Sequence, residues 1–409
     1  MNRLHKKLEK IGSDPKITAK SVGLRYVDDK QKGYHRIKKG QKLVFTDQDN
    51  VLIKDKELLA HFKSLVIPPA YDNVWISPFK NSHLQFTGFD AKGRKQYRYH
   101  QYWNSIRNQA KFFRLRRFAD ALPGIRAQVD KDLARKELTY EKVIALVVKL
   151  IEITNIRIGN EGYSKLYGSF GLTTLKDKHA KIDGNKISFE FIGKKGVAHK
   201  VALNSVKLTR LVKKCRDIPG KELFQYYDFE GNHKSIGSAD VNNYLKATSG
   251  EDFTAKDFRT WAGTLNALSA FNELGEFEKE SDCKKNVVQV LDYVAKQLGN
   301  TRTVCKKYYV HPSIILAYEN GSLNKYKVSK HLPSLTDPEL ILVSILESNA
   351  KQKFKFKTTI IFVEWKRWKK TVLLSILAVS MRCYLRTFHV TYTRLETPIT
   401  IDVFTSTIS

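Results

Sequence analysis

Cysteine is scarce: Cys215, Cys283, Cys305 and Cys383 are the four in 409 residues, far apart and without paired spacing. That argues against a disulfide framework or a zinc site, and it suits a reducing cytoplasm. Acidic side chains are outnumbered, 41 against 72 lysines and arginines, which leaves a formal net charge of +31. Signal-like and membrane-like runs are missing as well. The N-terminus, MNRLHKKLEKIG, carries charges throughout and holds no apolar stretch of signal-peptide length, so export is not expected. Toward the C-terminus the run TVLLSILAVSM falls short of the roughly 18–20 residues that a membrane helix needs.

What is present is the material of a folded protein. Hydrophobic residues make up 42% and aromatics 11%, too many core formers for a largely disordered chain. A single core stops growing near roughly 250–300 residues, so two domains plus something extra are expected. The positive excess costs self-repulsion unless it meets a polyanion, where each neutralised phosphate releases counterions. DNA, RNA and an anionic membrane all satisfy that argument, and a merely solvated basic surface is the plain alternative.

Residues 1–20 read as a basic lead and 21–104 as a β-rich domain, in which VGLRYV, QKLVFT, NVLI and NVWISP alternate with Gly, Asp, Asn and Pro clusters. The stretch DAKGRKQYRYHQYW closes it, and residues 105–350 form a second, mainly helical domain. Within that domain TYEKVIALVVKLIEIT offers Thr139 as N-cap, Glu141 in the first turn, and a buried face of Val143, Leu146, Val147, Leu150 and Ile151. From 179 to 203 the period changes to two, with turns at Asp183-Gly184 and around Lys194-Lys195-Gly196, which predicts a small antiparallel sheet. Helical patterns resume from about 204 to 350 with one break at NELGEFEKES. The tail, 351–409, holds eleven basic and three acidic residues, no Gly and one Ala. An accessory DNA-binding tail, an interfacial segment and a meaningless extension of the reading frame all fit it, and it carries no recognisable site chemistry. The fold class expected is α+β.

Breaking a phosphodiester without a metal requires a nucleophile, cations for the non-bridging oxygens and a proton donor for the departing oxygen. Arg, Lys and Tyr are too abundant here for composition to single out any of them. Five ordered motifs do: IRIGNE at 156–161, GLTTL at 171–175, FIGKKG at 191–196, KDFRTW at 256–261 and GNTRTVCKKYYVHP at 299–312. Together they resemble the motifs of type IB DNA topoisomerases, most closely the small bacterial and poxvirus-like form, across about residues 20–330.

The resemblance implies roles for particular residues. Tyr309 in YYVHP matches the nucleophile that forms a 3′-phosphotyrosyl link and expels a 5′-hydroxyl, with Tyr308 as its neighbour and decoy. Arg157 and Arg259 match the two arginines that clamp the scissile phosphate, a task suited to a planar, permanently charged fork of donors. Taken alone, Arg157 also reads as a cation at a helix C-terminus. Lys194 matches the hairpin lysine that protonates the leaving oxygen, and neighbouring arginines would lower its pKa; Lys195 beside it is chemically equivalent. Where viral and nuclear members carry a histidine nine residues before the nucleophile, this chain has Asn300, as the bacterial branch does. An amide donates a hydrogen bond but moves no proton. In GRKQYRYH, the resemblance gives Gln96, Tyr97 and Tyr99 groove and phosphate contacts, interleaved with the cations Arg94, Lys95 and Arg98. Strand alternation puts Gln96, Arg98 and His100 on one face and Tyr97 and Tyr99 on the other, which also describes a half-buried edge strand with solvated cations.

Two rivals remain. A tyrosine recombinase shares the tyrosine and the arginine pair, but its second arginine usually follows a histidine three residues earlier, where this chain has Lys256. A relative that only binds DNA would retain the charge and lose the chemistry. The expectation is an enzyme that relaxes double-stranded DNA as a monomer in the cytoplasm, at the nucleoid, with no cofactor, ATP, metal or membrane.

Overall fold

A computed structural model describes residues 14–328 and 334–348. The expectations for 351–409 and for most of the basic lead lie outside the described residues. Helix α1 (Pro15–Ser21) starts at Asp14, whose carboxylate accepts from the amides of Lys16 and Ile17 at 2.8 and 3.1 Å. Strands β1 (Tyr34–Lys39) and β2 (Lys42–Thr46) then form a hairpin, and α2 (Lys56–Ser64) leads to β3 (Asp72–Ile76), β4 (Leu84–Phe89) and β5 (Lys95–Tyr99). The five strands make one antiparallel sheet in the order β2-β1-β3-β4-β5, so β5 is an edge. Phe62 of α2 seals one face against Val74, Ile76 and Phe86.

The β-rich character expected of this region is observed, but two of the expected strands are not. VGLRYV contributes only an isolated bridge from Arg25 to Ser82, and NVLI only one from Leu52 to Thr46. Val51 and Leu52 are exposed, so their apolar content marks no core face. Strand β1 was hidden by its charge, since YHRIKK buries little except Arg36, whose guanidinium donates to the carbonyls of Ile67, Pro68 and Tyr71.

One residue after β5 the chain enters α3 (Gln101–Leu133) and then α4 (Tyr140–Thr154). Thr139 caps α4 as expected, and all five predicted apolar positions are buried. Ile144, Ala145 and Val148 are buried too, because α4 is enclosed by other elements on nearly every side. After α5 (Glu161–Tyr167), strands β6 (Ala180–Asp183), β7 (Lys186–Ile192) and β8 (Ala198–Asn204) form the predicted three-stranded antiparallel sheet, with turns at the predicted places.

Helix α6 (Val206–Arg216) follows, and here the expectation of helix broken only at NELGEFEKES is corrected. Strands β9 (Gln225–Tyr227) and β10 (His233–Ser235) form a hairpin around an Asp228-to-Gly231 turn. Asp228 accepts from the amides of Glu230 and Asn232, a local turn that competes with helix. Helices α7 (Ser238–Ser249), α8 (Ala255–Leu274), α9 (Glu280–Leu298), α10 (Arg302–Tyr308) and α11 (Pro312–Glu319) complete the run, with helical residues again at 337–348. The break predicted at NELGEFEKES falls between α8 and α9. One large apolar cluster extends from Leu115 to Leu346, while residues of the N-terminal sheet form small clusters of their own.

Candidate active site

The site is assembled where four chain segments end. Helix α4 stops at Asn155, which adopts φ 57°, a left-handed conformation that Asn tolerates better than most residues. The chain then leaves the helix through Ile156 and Arg157, and the carbonyls of Arg157 and Ile158 accept from the amides of Leu172 and Thr173, both at 2.7 Å. IRIGNE and GLTTL, separate in sequence, therefore lie side by side. Gly171 makes this possible, since a Cβ there would stand 2.6 Å from the Arg157 carbonyl oxygen and 2.5 Å from the Gly159 nitrogen.

Arg259 projects from the second turn of α8, whose start is fixed by Asp257 accepting from the Thr254 amide and hydroxyl at 2.9 Å each. It is 4% exposed. Its guanidinium donates to the carbonyl of Asn155 and, at 2.7 Å, to that of Leu298, which ties the ends of α4 and α9 together. Burial and then the charge of Arg157 push its pKa down to about 10, so it stays a cation at neutral pH. Burial likewise lowers that of Arg157.

Tyr309 and Asn300 come from the two ends of α10. Gly299 closes α9, Asn300 follows, and Arg157 donates to the Asn300 side-chain oxygen at 2.6 Å. Tyr309 closes α10, its amide donating to the Cys305 carbonyl at 2.9 Å and its own carbonyl lying 3.0 Å from the Thr264 hydroxyl. The Arg259 guanidinium carbon is 5.4 Å from the centre of the Tyr309 ring. The Tyr308 ring instead meets Lys307, at 5.3 Å. Arg157, Arg259, Asn300 and Tyr309 thus share one cluster. Within it Arg259 Nε and Asn300 Nδ2 are buried donors without a hydrogen-bond acceptor among the described residues. Buried donors are rarely left so, and both suit an anion.

Lys194 sits on the β7–β8 turn, exposed, and no hydrogen bond or ion pair among the described residues joins it to the other four. The turn itself is anchored nearby. His199 stacks on Phe191 with ring centres 5.0 Å apart, and its imidazole packs against both Gly193 and Gly299. Burial, Arg157 and Arg259 all lower the His199 pKa, which favours the neutral ring. Lys195 adopts φ 66° in the turn.

On β5 the alternation holds where it was clearest: the Tyr97 and Tyr99 rings are parallel within 6° at 6.1 Å. Tyr99 is half-buried against His83, Trp103 and their neighbours, while Tyr97 is exposed. Asp90 accepts from Arg94 at 2.8 Å and from Gln96 at 2.9 Å, and Lys95 pairs with Asp29 at 2.5 Å. Among the described residues Arg98 has no ion pair. Three of the four polar side chains named on this segment are therefore held by carboxylates.

Sequence reasoning missed Lys111 on α3, whose side-chain nitrogen donates to the Tyr308 carbonyl and lies 4.8 Å from the Tyr309 ring centre. It also missed His199, Asn155 and Gly263. Lys111 is 198 residues from Tyr309 and in a helix rich in basic residues, so no spacing rule would have found it. Among the described residues no group of three or more His, Cys, Asp or Glu side chains is arranged to hold a metal ion, and no helix is long and apolar enough to cross a membrane.

Residues 95–332 match the family model described as eukaryotic DNA topoisomerase I, catalytic core, and residues 42–90 match the bacterial DNA topoisomerase IB, N-terminal domain. DNA topoisomerase 1B of Acanthamoeba polyphaga mimivirus is 33% identical over 301 residues, covering 71% of this chain and 88% of the relative. DNA topoisomerase 1B of Vaccinia virus (strain Copenhagen) is 24% identical over 264 residues, covering 63% and 80%. DNA topoisomerase 1 of Rabbit fibroma virus (strain Kasza) is 26% identical over 302 residues, covering 68% and 91%.

Proposed function

The chain belongs to the type IB DNA topoisomerases, and from that premise we propose that Tyr309 is the nucleophile with which it nicks one strand of a duplex. The phenol oxygen attacks a backbone phosphorus, forms a 3′-phosphotyrosyl ester and releases a 5′-hydroxyl. Arg157 and Arg259 hold the non-bridging oxygens, and their fixed charge stabilises the pentacoordinate transition state. Asn300 adds a hydrogen bond from Nδ2. Lys194, carried on the hairpin turn, delivers the proton to the leaving oxygen. The ester conserves the energy of the broken bond, so attack by the 5′-hydroxyl reseals the strand after it has swivelled, without ATP or a metal.

The observation that carries this reading is the cluster itself: the Arg259 guanidinium lies against the Tyr309 ring, Arg157 holds Asn300, and Arg259 Nε and Asn300 Nδ2 are buried without a hydrogen-bond partner among the described residues. A phosphate supplies the acceptors those donors lack. Residues 21–104, with Arg94, Lys95, Gln96, Tyr97, Arg98 and Tyr99 on β5, act as the DNA-contacting domain, and 105–350 as the catalytic domain, the two closing on the duplex. The enzyme acts as a monomer on nucleoid DNA in the cytoplasm.

The test is relaxation of supercoiled plasmid in a chelator without ATP, wild type beside Tyr309→Phe. Relaxation by the wild type alone is expected. A Tyr309→Phe protein that still relaxes DNA, or a wild type that requires a chelatable metal, refutes the assignment.

A further inference from the structure

The attack leaves one proton unaccounted for. The phenol must lose it as the Oη–P bond forms, and none of the residues assigned above is a base: two arginines, an amide and a lysine that acts as the acid. We propose that the neutral amine of Lys111 accepts this proton, an assignment that rests on Tyr309 being the nucleophile.

Geometry is the first support. Lys111 projects from the third turn of α3 and is half-buried, with its nitrogen donating to the Tyr308 carbonyl and 4.8 Å from the Tyr309 ring centre. A neutral amine keeps a lone pair while it donates one N–H. The carbonyl contact thus holds the nitrogen beside the Tyr309 ring without consuming its basicity.

Surroundings are the second support. From α8 Lys111 faces Lys256, Asp257 and Arg259; from the end of α10 it faces Tyr308 and Tyr309; on its own helix Arg114 lies 3.8 Å from Asp257, and His311 packs on the adjacent Phe112. Asp257 favours the ammonium, but its carboxylate is already engaged by Thr254. Burial, then Lys256, lower the pKa of Lys111 to about 7, with Arg259 acting in the same direction. A base works best with a pKa near the working pH.

The proton account then closes. As the Oη–P bond forms, the O–H bond of Tyr309 breaks and its proton passes to Lys111; as the P–O5′ bond breaks, the 5′-oxygen takes a proton from Lys194. Religation runs the same transfers in reverse, so a full cycle releases no net proton.

Single-turnover cleavage of a duplex whose 5′-hydroxyl fragment dissociates tests this, measured from pH 5.5 to 9 for wild type, Lys111→Arg, Lys111→Met and Tyr309→Phe, alongside DNA affinity and thermal melting. The wild-type rate is expected to rise with pH through about 7 and level off. Both Lys111 variants should lose that limb and cleave about 100-fold more slowly at pH 8, at nearly unchanged DNA affinity. Lys111→Arg decides between roles, because arginine preserves a cation but accepts no proton. A Lys111→Arg rate near wild type overturns the proposal. Should both variants fail to fold, a wild-type profile without a limb near pH 7 overturns it equally. Covalent adduct formed by Tyr309→Phe would instead refute the nucleophile assignment.

Discussion

Gly263 gives the sharpest test of how the nucleophile is held. It lies on α8 one turn after Arg259, and a methyl there would meet the Tyr309 carbonyl oxygen at 2.9 Å, Leu298 Cδ1 at 3.0 Å and Tyr309 Cβ at 3.1 Å. Ordinary contact begins near 3.4 Å, so neighbours must yield about half an ångström. Leu298 can turn aside. Tyr309 has less freedom, because its amide is bonded to the Cys305 carbonyl and its carbonyl to the Thr264 hydroxyl. Alanine in a helix interior gains about 1 kcal/mol over glycine, and overpacking costs about 1–3 kcal/mol. Gly263→Ala should therefore lose no more than about 2 kcal/mol of stability. Cleavage is more sensitive: a 1 Å misplacement costs about 100-fold, so a displaced Tyr309 should slow covalent adduct formation about 10-fold. DNA affinity should not change. Adduct formation at the wild-type rate by a variant of wild-type stability would show that Gly263 does not set the position of the tyrosine.

Asn155→Gly should be nearly neutral, whereas Asn155→Val should cost about 1–2 kcal/mol in denaturant unfolding, since only the latter pays for the left-handed conformation at φ 57°. Equal stability of the two would remove backbone strain as the reason for Asn. Glu339 is 3% exposed and accepts from Arg126 at 2.8 Å and from the Trp261 indole at 3.0 Å. Glu339→Gln should destabilise by about 3 kcal/mol, because Arg126 then loses one of its two carboxylate partners and keeps Glu152 and the Ser334 carbonyl. Burial raises the Glu339 pKa, but hydrogen bonds from Arg126, Thr336 and Trp261 outweigh it and hold the carboxyl below the ordinary range. Its contribution is thus present above the unfolded value of about 4.3 and disappears as pH falls through the lower native value; urea melts of wild type and variant should converge in acid. On β5, Arg98→Ala should reduce the slope of log affinity against log salt by about 1. Arg94→Ala should reduce it less, since Arg94 exchanges Asp90 for phosphate, and the reverse order would contradict the pairing seen here.

Much was legible in the sequence. The charge excess announced a polyanionic partner, the period of apolar residues fixed α4 and its Thr139 cap, and the change to period two located β6 to β8 with both turns. These are local signals, and local backbone chemistry sets them. Ordered motifs supplied the family, because they constrain identity at many positions at once. The elements misread were those whose local signal was weak or misleading: β1 is charged, VGLRYV and NVLI are apolar without joining the sheet, and β9–β10 is a hairpin stabilised by an Asp228 turn.

Only the tertiary structure decided what surrounds Tyr309. Sequence names Arg157, Arg259 and Asn300, but their convergence depends on carbonyls at the ends of α4 and α9 that accept from Arg259, and on close backbone contact at Gly171. Lys111 and His199 join the site through packing across a hundred residues of chain or more. Side-chain type and spacing are written along one dimension, so they determine which chemistry is available. Burial, charge proximity and the pKa shifts they cause arise from contacts between distant segments, and those exist only once the core has closed.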